Sequence, residues 1–307
     1  MKKIIAVFCI LSIAYTAQAA DDVFQLNSLP KVLSNVSSVL GDAKGELFQN
    51  FIKELDRNQS TFEALDFPVS LAEKITLNFN ANEYNDNSWD LQSKNLIISV
   101  SDCNQSPMKD KIDYLPIALH EFGHSVFDAN ILNLLASEFS ATSDNLKQQA
   151  ILIINGKMDE ASKIQVSTSI TSLPFHELFA DSVAVLILNN PKAISEQLTM
   201  CKGVPSSRDF SQEFDSNTWN VGKLGGALDR RHEVLNPVRS HIWKVFVDKF
   251  HQDDKSVVII LKALINASVK VLKEINDNRL TTGEWEIVSQ SELNLKLIQN
   301  FDLLVGQ

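Results

Sequence analysis

The stretch 120–124, which has the sequence His-Glu-Phe-Gly-His, constrains this chain more than any other part of its sequence. Its apolar flanks predict a buried helix over about 113–135. In a helix, side chains four residues apart share a face, so His120 and His124 can converge on one metal ion. Glu121 lies one step round the helix, where it can take a proton from a water at the metal without binding the metal. We therefore expect a metal site on this helix.

A third ligand must come from elsewhere, because hydrolytic zinc sites use three protein ligands and leave a position for water. The candidates are Glu177, His176 and Asp128. Asp128 is on the same helix as the two histidines, and one straight helix cannot easily wrap three ligands around one ion. Asp181 follows Glu177 by four residues, so it shares a helix face with Glu177 and can accept the spare N–H of a ligating histidine. This favours Glu177 over His176.

The paired motifs resemble those of the gluzincin superfamily of zinc metallopeptidases, whose thermolysin-like members combine His-Glu-x-x-His with Glu-x-x-x-Asp. In this chain the second motif is Glu-Leu-Phe-Ala-Asp at 177–181. The resemblance covers the two motifs and a strand that precedes the first one. His176 stands where thermolysin-like sequences commonly carry Asn, and the subfamily is left open.

The resemblance implies a site with one Zn²⁺ and three protein ligands, His120, His124 and Glu177. It also implies that Glu121 is the general base and that Asp181 orients His120. The fold that it implies is zincin-like.

Peptidases of this kind also need a donor that stabilises the tetrahedral oxyanion. His232 is the first candidate, because it follows the segment 201–230, which is rich in glycine and has no periodicity. A segment of that length without periodicity is typical of a functional lid or a mobile linker. Arg239 and His241 are the alternatives for the donor.

The apolar residues change their period along the chain, which predicts a mostly helical α+β fold. Strands are predicted at 75–79 and 96–101, in a small sheet beside the metal-binding helix. Later helices are predicted at 159–166, 173–188, 232–246, 255–276 and 292–304. Pro174 is expected in the first turn of the helix at 173–188. We expect an N-terminal lobe, 20–135, with the sheet and the metal-binding helix, and a helical C-terminal lobe, 136–307, with the third ligand.

The sheet offers two interpretations that the sequence does not separate. An open edge beside the metal-binding helix can accept an extended peptide substrate as an additional strand. Alternatively, the two strands form a hairpin that only caps the helical core.

The N-terminal residues 1–19 have a basic start, a short apolar run and an Ala-Gln-Ala site, which together are typical of a secretory signal peptide. The alternative is an uncleaved N-terminal anchor. No later segment is apolar for the roughly 18 residues that a membrane span needs, so we expect a mature protein without one, in the periplasm or outside the cell. In an oxidising compartment, Cys103 and Cys201 most simply form a disulfide, although two separate thiols are the alternative.

Charge argues against nucleic acid as a partner. Removal of Lys2 and Lys3 with the leader leaves 26 basic residues against 38 acidic ones, a formal charge of −12. A surface of that sign repels phosphate backbones.

Together with the resemblance, these features predict an exported zinc metallopeptidase that acts on a peptide or protein substrate. The alternative is a catalytically inactive exported zinc-binding protein that binds peptides. Structural zinc sites usually have four protein ligands and favour cysteine, and no cysteine lies near the motif. A metal-free helical protein with a chance motif is a third possibility. The sequence does not indicate an oligomeric state.

Overall fold

The structure is a computed structural model, which describes residues 22–25, 53, 74–78, 88–90, 94–99, 114–138, 163–203, 206–221, 232–282 and 289–306. The expected signal peptide lies outside these residues. Among the helices that the described ranges contain, none has the length and apolar character needed to cross a membrane.

Within the part of the chain that the structure describes, four short strands form one mixed sheet. They are β1 (Asp22–Gln25), β2 (Lys74–Asn78), β3 (Ser88–Asp90) and β4 (Asn95–Ser99), in the order β1-β2-β4-β3. β1 is antiparallel to β2, and β3 is antiparallel to β4. The two predicted strands, β2 and β4, are parallel neighbours, so the expected alternative in which they form a hairpin is wrong. Parallel strands need a crossover connection, which two runs of alternating residues cannot reveal.

Six helices follow within the described ranges. They are α1 (Leu115–Glu138), α2 (Lys163–Leu188), α3 (Ala193–Lys202), α4 (Asn236–Lys249), α5 (Asp254–Thr282) and α6 (Gln290–Val305). Together with the sheet they confirm a mostly helical α+β fold. α3 was not predicted, because the Asn-Asn-Pro sequence that ends α2 at 189–191 was interpreted only as a stop.

α1 and α2 are the central helices. All residues from 116 to 131 in α1 and from 177 to 186 in α2 are buried, as expected for helices that are covered on all sides. α1 packs against α2, α5 and strands β3 and β4. Gly123 allows the two central helices to approach closely, because a Cβ at this position would lie 2.7 Å from the Cα of Ala180. The core therefore brings the two sequence motifs face to face.

Two boundaries differ from the predictions. α2 begins at Lys163, so Pro174 lies inside the helix and not in its first turn. Proline removes one hydrogen bond from a helix interior, and the helix nevertheless continues through Pro174 to Leu188. α1 ends at Glu138, past the expected lobe boundary at residue 135, and one apolar cluster includes side chains from α1, α2, α4, α5 and α6. The division into two lobes stays a prediction.

Candidate metal centre

The described residues contain a buried group that can hold a metal ion, formed by His120, His124 and Glu177. The Nε2 atoms of the two histidines are 3.0 Å apart. Glu177 Oε2 lies 3.5 Å from Nε2 of His120 and 3.8 Å from Nε2 of His124. The structure thus brings together the three predicted ligands from two helices.

The dimensions of this triangle fit a tetrahedral ion. Bonds of about 2.0–2.1 Å at tetrahedral angles place neighbouring ligand atoms about 3.3–3.4 Å apart. The three observed edges of 3.0, 3.5 and 3.8 Å bracket that value. Two imidazoles and one carboxylate are also a donor set typical of catalytic zinc sites.

The electrostatics of the three groups favour the protonation states that bind metal. Burial and the adjacent Arg208 lower the pKa of His120. Burial and the neighbouring histidines lower the pKa of His124 well below its usual value. Burial alone would raise the pKa of Glu177, but the surrounding histidines, chiefly His124, hold it well below its usual value. Neutral imidazoles and an ionised carboxylate are the forms that coordinate a cation.

His120 is held by a buried charged cluster. Its Nδ1 lies 2.9 Å from Oδ1 of Asp181, as the sequence predicted. Arg208 donates from Nε to both carboxylate oxygens of Asp181, at 3.1 and 3.0 Å, and its Nη2 also contacts Oδ1. Arg239 in α4 donates from Nε to Oδ2 at 2.9 Å, and its Nη2 forms an ion pair with the same oxygen at 2.7 Å. Burial would raise the pKa of Asp181, but the two guanidinium groups keep it far below its usual value.

Arg208 was missed by the sequence analysis. It lies in the 206–221 segment, which carries no periodic signal, 88 residues from His120. Its Nη2 is 3.3 Å from His120 Nε2 and 3.8 Å from Glu177 Oε2. A permanent positive charge therefore borders the ligand set.

His124 is held differently, by a chain of polar groups. Its Nδ1 lies 2.5 Å from Nδ1 of His176, and Nε2 of His176 lies 2.7 Å from Oδ1 of Asp128. Trp89 in β3 donates from Nε1 to Oδ2 of Asp128 at 2.7 Å. His176 and Asp128 were the other two candidates for the third ligand, and neither belongs to the ligand triangle.

Glu121, the predicted base, is buried beside the triangle. Burial and the nearby Glu177 raise the pKa of Glu121 to about 8. The backbone N–H of Trp89 donates a hydrogen bond to its carboxylate. Glu121 therefore lies between the ligand set and strand β3.

The three candidates for the oxyanion donor fall in different surroundings. His232 Nε2 lies 3.0 Å from Oε2 of Glu177, and its side chain is 31% exposed. Arg239 is fully buried against Asp181, and His241 pairs with Asp302 of α6. Of the three, His232 is the one that contacts a ligand residue.

Cys201, near the end of α3, is disulfide-bonded. Its predicted partner, Cys103, lies outside the described residues, so their pairing stays a prediction.

Comparisons of the chain with protein-family models, with curated proteins and with solved structures found no match. Support for a function therefore comes from the chemistry of the site.

Proposed function

We propose that this chain is an exported zinc-dependent metallopeptidase of the gluzincin type, with a zincin-like fold, that hydrolyses peptide bonds. The observation that carries this proposal is the triangle of His120 Nε2, His124 Nε2 and Glu177 Oε2, with edges of 3.0–3.8 Å. The three groups come from two helices whose motifs are far apart in the chain. Such convergence of two imidazoles and one carboxylate is what a metal ion requires.

Zinc is the proposed ion, because two imidazoles and one carboxylate are a donor set typical of catalytic zinc sites and the His-Glu-x-x-His motif resembles that of zinc peptidases. When bound, it supplies Lewis-acid chemistry, which lowers the pKa of a water molecule and polarises a carbonyl group. Three protein ligands also distinguish a catalytic site from the four-ligand structural type.

Glu121 is the proposed general base. Its buried carboxyl group lies beside Glu177, where as a carboxylate it can accept a proton from water and release it again. It would take a proton from the attacking water and pass that proton to the leaving amine. Glu121 lies beside the three proposed ligands without being one of them, which suits this role.

His232 is the proposed oxyanion donor. It contacts Glu177 at the edge of the site, and its partial exposure leaves it accessible to a substrate. A single donor of this type is worth about a hundredfold or more in rate.

Strand β3 is the proposed platform for an extended substrate. It is the last strand in the order of the described sheet, and Trp89 within it contacts the base through its backbone N–H. A peptide that adds to such an edge gains main-chain hydrogen bonds and lies beside Glu121.

Replacing Glu121 by Gln tests the proposal, because the amide keeps the shape and loses the basic oxygen. Glu121→Gln should bind zinc like wild type and hydrolyse denatured casein about 10²–10⁴-fold more slowly. Glu196→Gln, an exposed change on α3, serves as the control and should remain fully active. Retained hydrolysis in Glu121→Gln would refute the base. A wild-type chain that binds zinc and peptides but has no turnover would instead favour the inactive alternative.

A further inference from the structure

We propose that His176 and Asp128 form a hydrogen-bonded chain that positions His124 and links this ligand to strand β3. We call the connected groups of His124, His176, Asp128 and Trp89 the His124 chain. The inference rests on the proposed zinc site and assigns positioning roles to two residues that do not themselves bind the ion.

The direction of every hydrogen bond in the His124 chain follows from one condition. His124 must present a lone pair on Nε2 to bind a cation, so as a neutral ring it carries its proton on Nδ1. That N–H donates to Nδ1 of His176, at 2.5 Å. His176 then carries its own proton on Nε2 and donates to Oδ1 of Asp128, at 2.7 Å. The indole N–H of Trp89 donates to the other carboxylate oxygen of Asp128, Oδ2.

The rings are also held by packing. His176 stacks on His124 with centroids 4.6 Å apart and an interplanar angle of 30°. Phe127 meets the His176 ring edge-on, with centroids 4.7 Å apart. His124 and Asp128 are four residues apart in α1, so they share the face towards which His176 projects from α2. The position of the His176 ring is therefore fixed by both helices.

Trp89 connects the His124 chain to the general base. Its indole N–H donates to Asp128, and its backbone N–H donates to Glu121. The same residue in β3 thus contacts the base and the far end of the chain that orients a ligand. Asp128 accordingly positions the strand along which the substrate is proposed to lie.

Ligand orientation by hydrogen bonding has a measurable effect, since loss of such a partner typically weakens metal affinity about 10–100-fold. Replacing His176 by Asn or by Gln distinguishes the contact made by its Nδ1 from the contact made by its Nε2. The short Asn side chain places its oxygen near the position of Nδ1, where it can accept a hydrogen bond from His124. The longer Gln side chain reaches towards the position of Nε2, beside Asp128.

The test is the zinc dissociation constant of the full chain, measured by competition with a chromogenic chelator. His176→Gln should bind zinc about 10–100-fold more weakly than wild type, whereas His176→Asn, which keeps an acceptor for His124 and loses only the contact with Asp128, should show a clearly smaller loss. His241→Gln is the matched control, because His241 Nε2 makes the same 2.7 Å contact with a carboxylate, Asp302 Oδ1, and should leave zinc binding unchanged. Unfolding by urea with EDTA present reports whether the variants fold equally well.

Equal zinc affinity in His176→Gln and wild type would overturn the positioning role. So would an equal loss in the Asn and Gln variants, because that would indicate a general effect of replacing the ring. A wild-type chain that binds no zinc would overturn the proposed function together with this inference. Zinc binding by wild type with an unaffected Gln variant would overturn this inference alone.

Discussion

The two histidines of the proposed metal site are supported in contrasting ways. Nδ1 of His120 lies 2.9 Å from a fully buried carboxylate, Asp181, that is also held by the guanidinium groups of Arg208 and Arg239. His124 contacts a second imidazole, His176, and reaches a carboxylate through it. The first support is a cluster of charges in the core, and the second is a directional chain that ends in the sheet.

This difference indicates that the same local task, holding the Nδ1 side of a histidine ring, can be tied to different parts of the molecule. The charged cluster joins α2 to α4 and to the segment after α3, so it should contribute mainly to the stability of the helical core. The His124 chain joins α1 and α2 to β3, so it lies on the side of the site where the substrate is proposed to bind. Changes in the two supports should therefore appear in different measurements.

The largest effect on stability is expected at Asp181. Asp181→Asn leaves two buried arginines without their counter-charge and should lower the free energy of unfolding by about 3–5 kcal/mol. The matched change Asp128→Asn removes hydrogen bonds but leaves no buried arginine without its counter-charge, so it should lower the free energy of unfolding by about 1–3 kcal/mol. Both are measured by urea unfolding with EDTA, which removes any contribution from bound metal. Similar losses in the two variants would break the distinction between the supports.

An intermediate effect is expected at Gly123, which controls the spacing that both supports share. Gly to Ala in a helix interior normally gains about 1 kcal/mol. Here the new Cβ would lie 2.7 Å from the Cα of Ala180, so α1 and α2 must separate and Gly123→Ala should instead cost about 1–3 kcal/mol. Zinc affinity should fall as well, because Asp181 and His176 both project from α2.

Gly306→Ala is the control for this change, because its Cβ would come no closer than 3.3 Å to a neighbouring atom. If Gly123→Ala stabilised the chain and left zinc binding intact, the close approach of the central helices would not matter to the site.

The smallest effect is expected at Trp89. Trp89→Phe removes the indole donor to Asp128 while retaining an aromatic ring and the backbone N–H, and it should lower stability by about 0.5–1.5 kcal/mol. Since the backbone contact with Glu121 is kept, any loss in peptide hydrolysis should appear mainly in KM. A large fall in kcat with unchanged KM would contradict the assignment of β3 to substrate binding.

The predictable part of the site depends on spacing within helices. His120, His124, Glu177 and Asp181 were predicted because residues four apart in a helix share a face, and both motifs lie on long helices. Arg208 was not predictable, since it reaches the site from a segment without periodicity and its partners are remote in sequence. Trp89 was not predictable as a site residue either, because its partner Asp128 is remote in sequence.

The fold shows the same limit. The strands β2 and β4 were predicted from alternating residues, but their parallel pairing was not, because register and direction arise from tertiary packing. Asp128 and His176 were considered only as ligands, and their contact with each other depends on how closely α1 and α2 approach. Local patterns therefore predicted the ligands, whereas the residues that orient the site followed from packing.

Metal analysis of wild type and Glu177→Ala in parallel tests the central claim most directly. After dialysis against metal-free buffer, wild type should retain one zinc ion per chain, Glu177→Ala should retain none, and the surface variant Glu196→Ala should behave like wild type. Zinc retained at full stoichiometry by Glu177→Ala, or absent from wild type after zinc is supplied, would contradict a metal centre built from His120, His124 and Glu177.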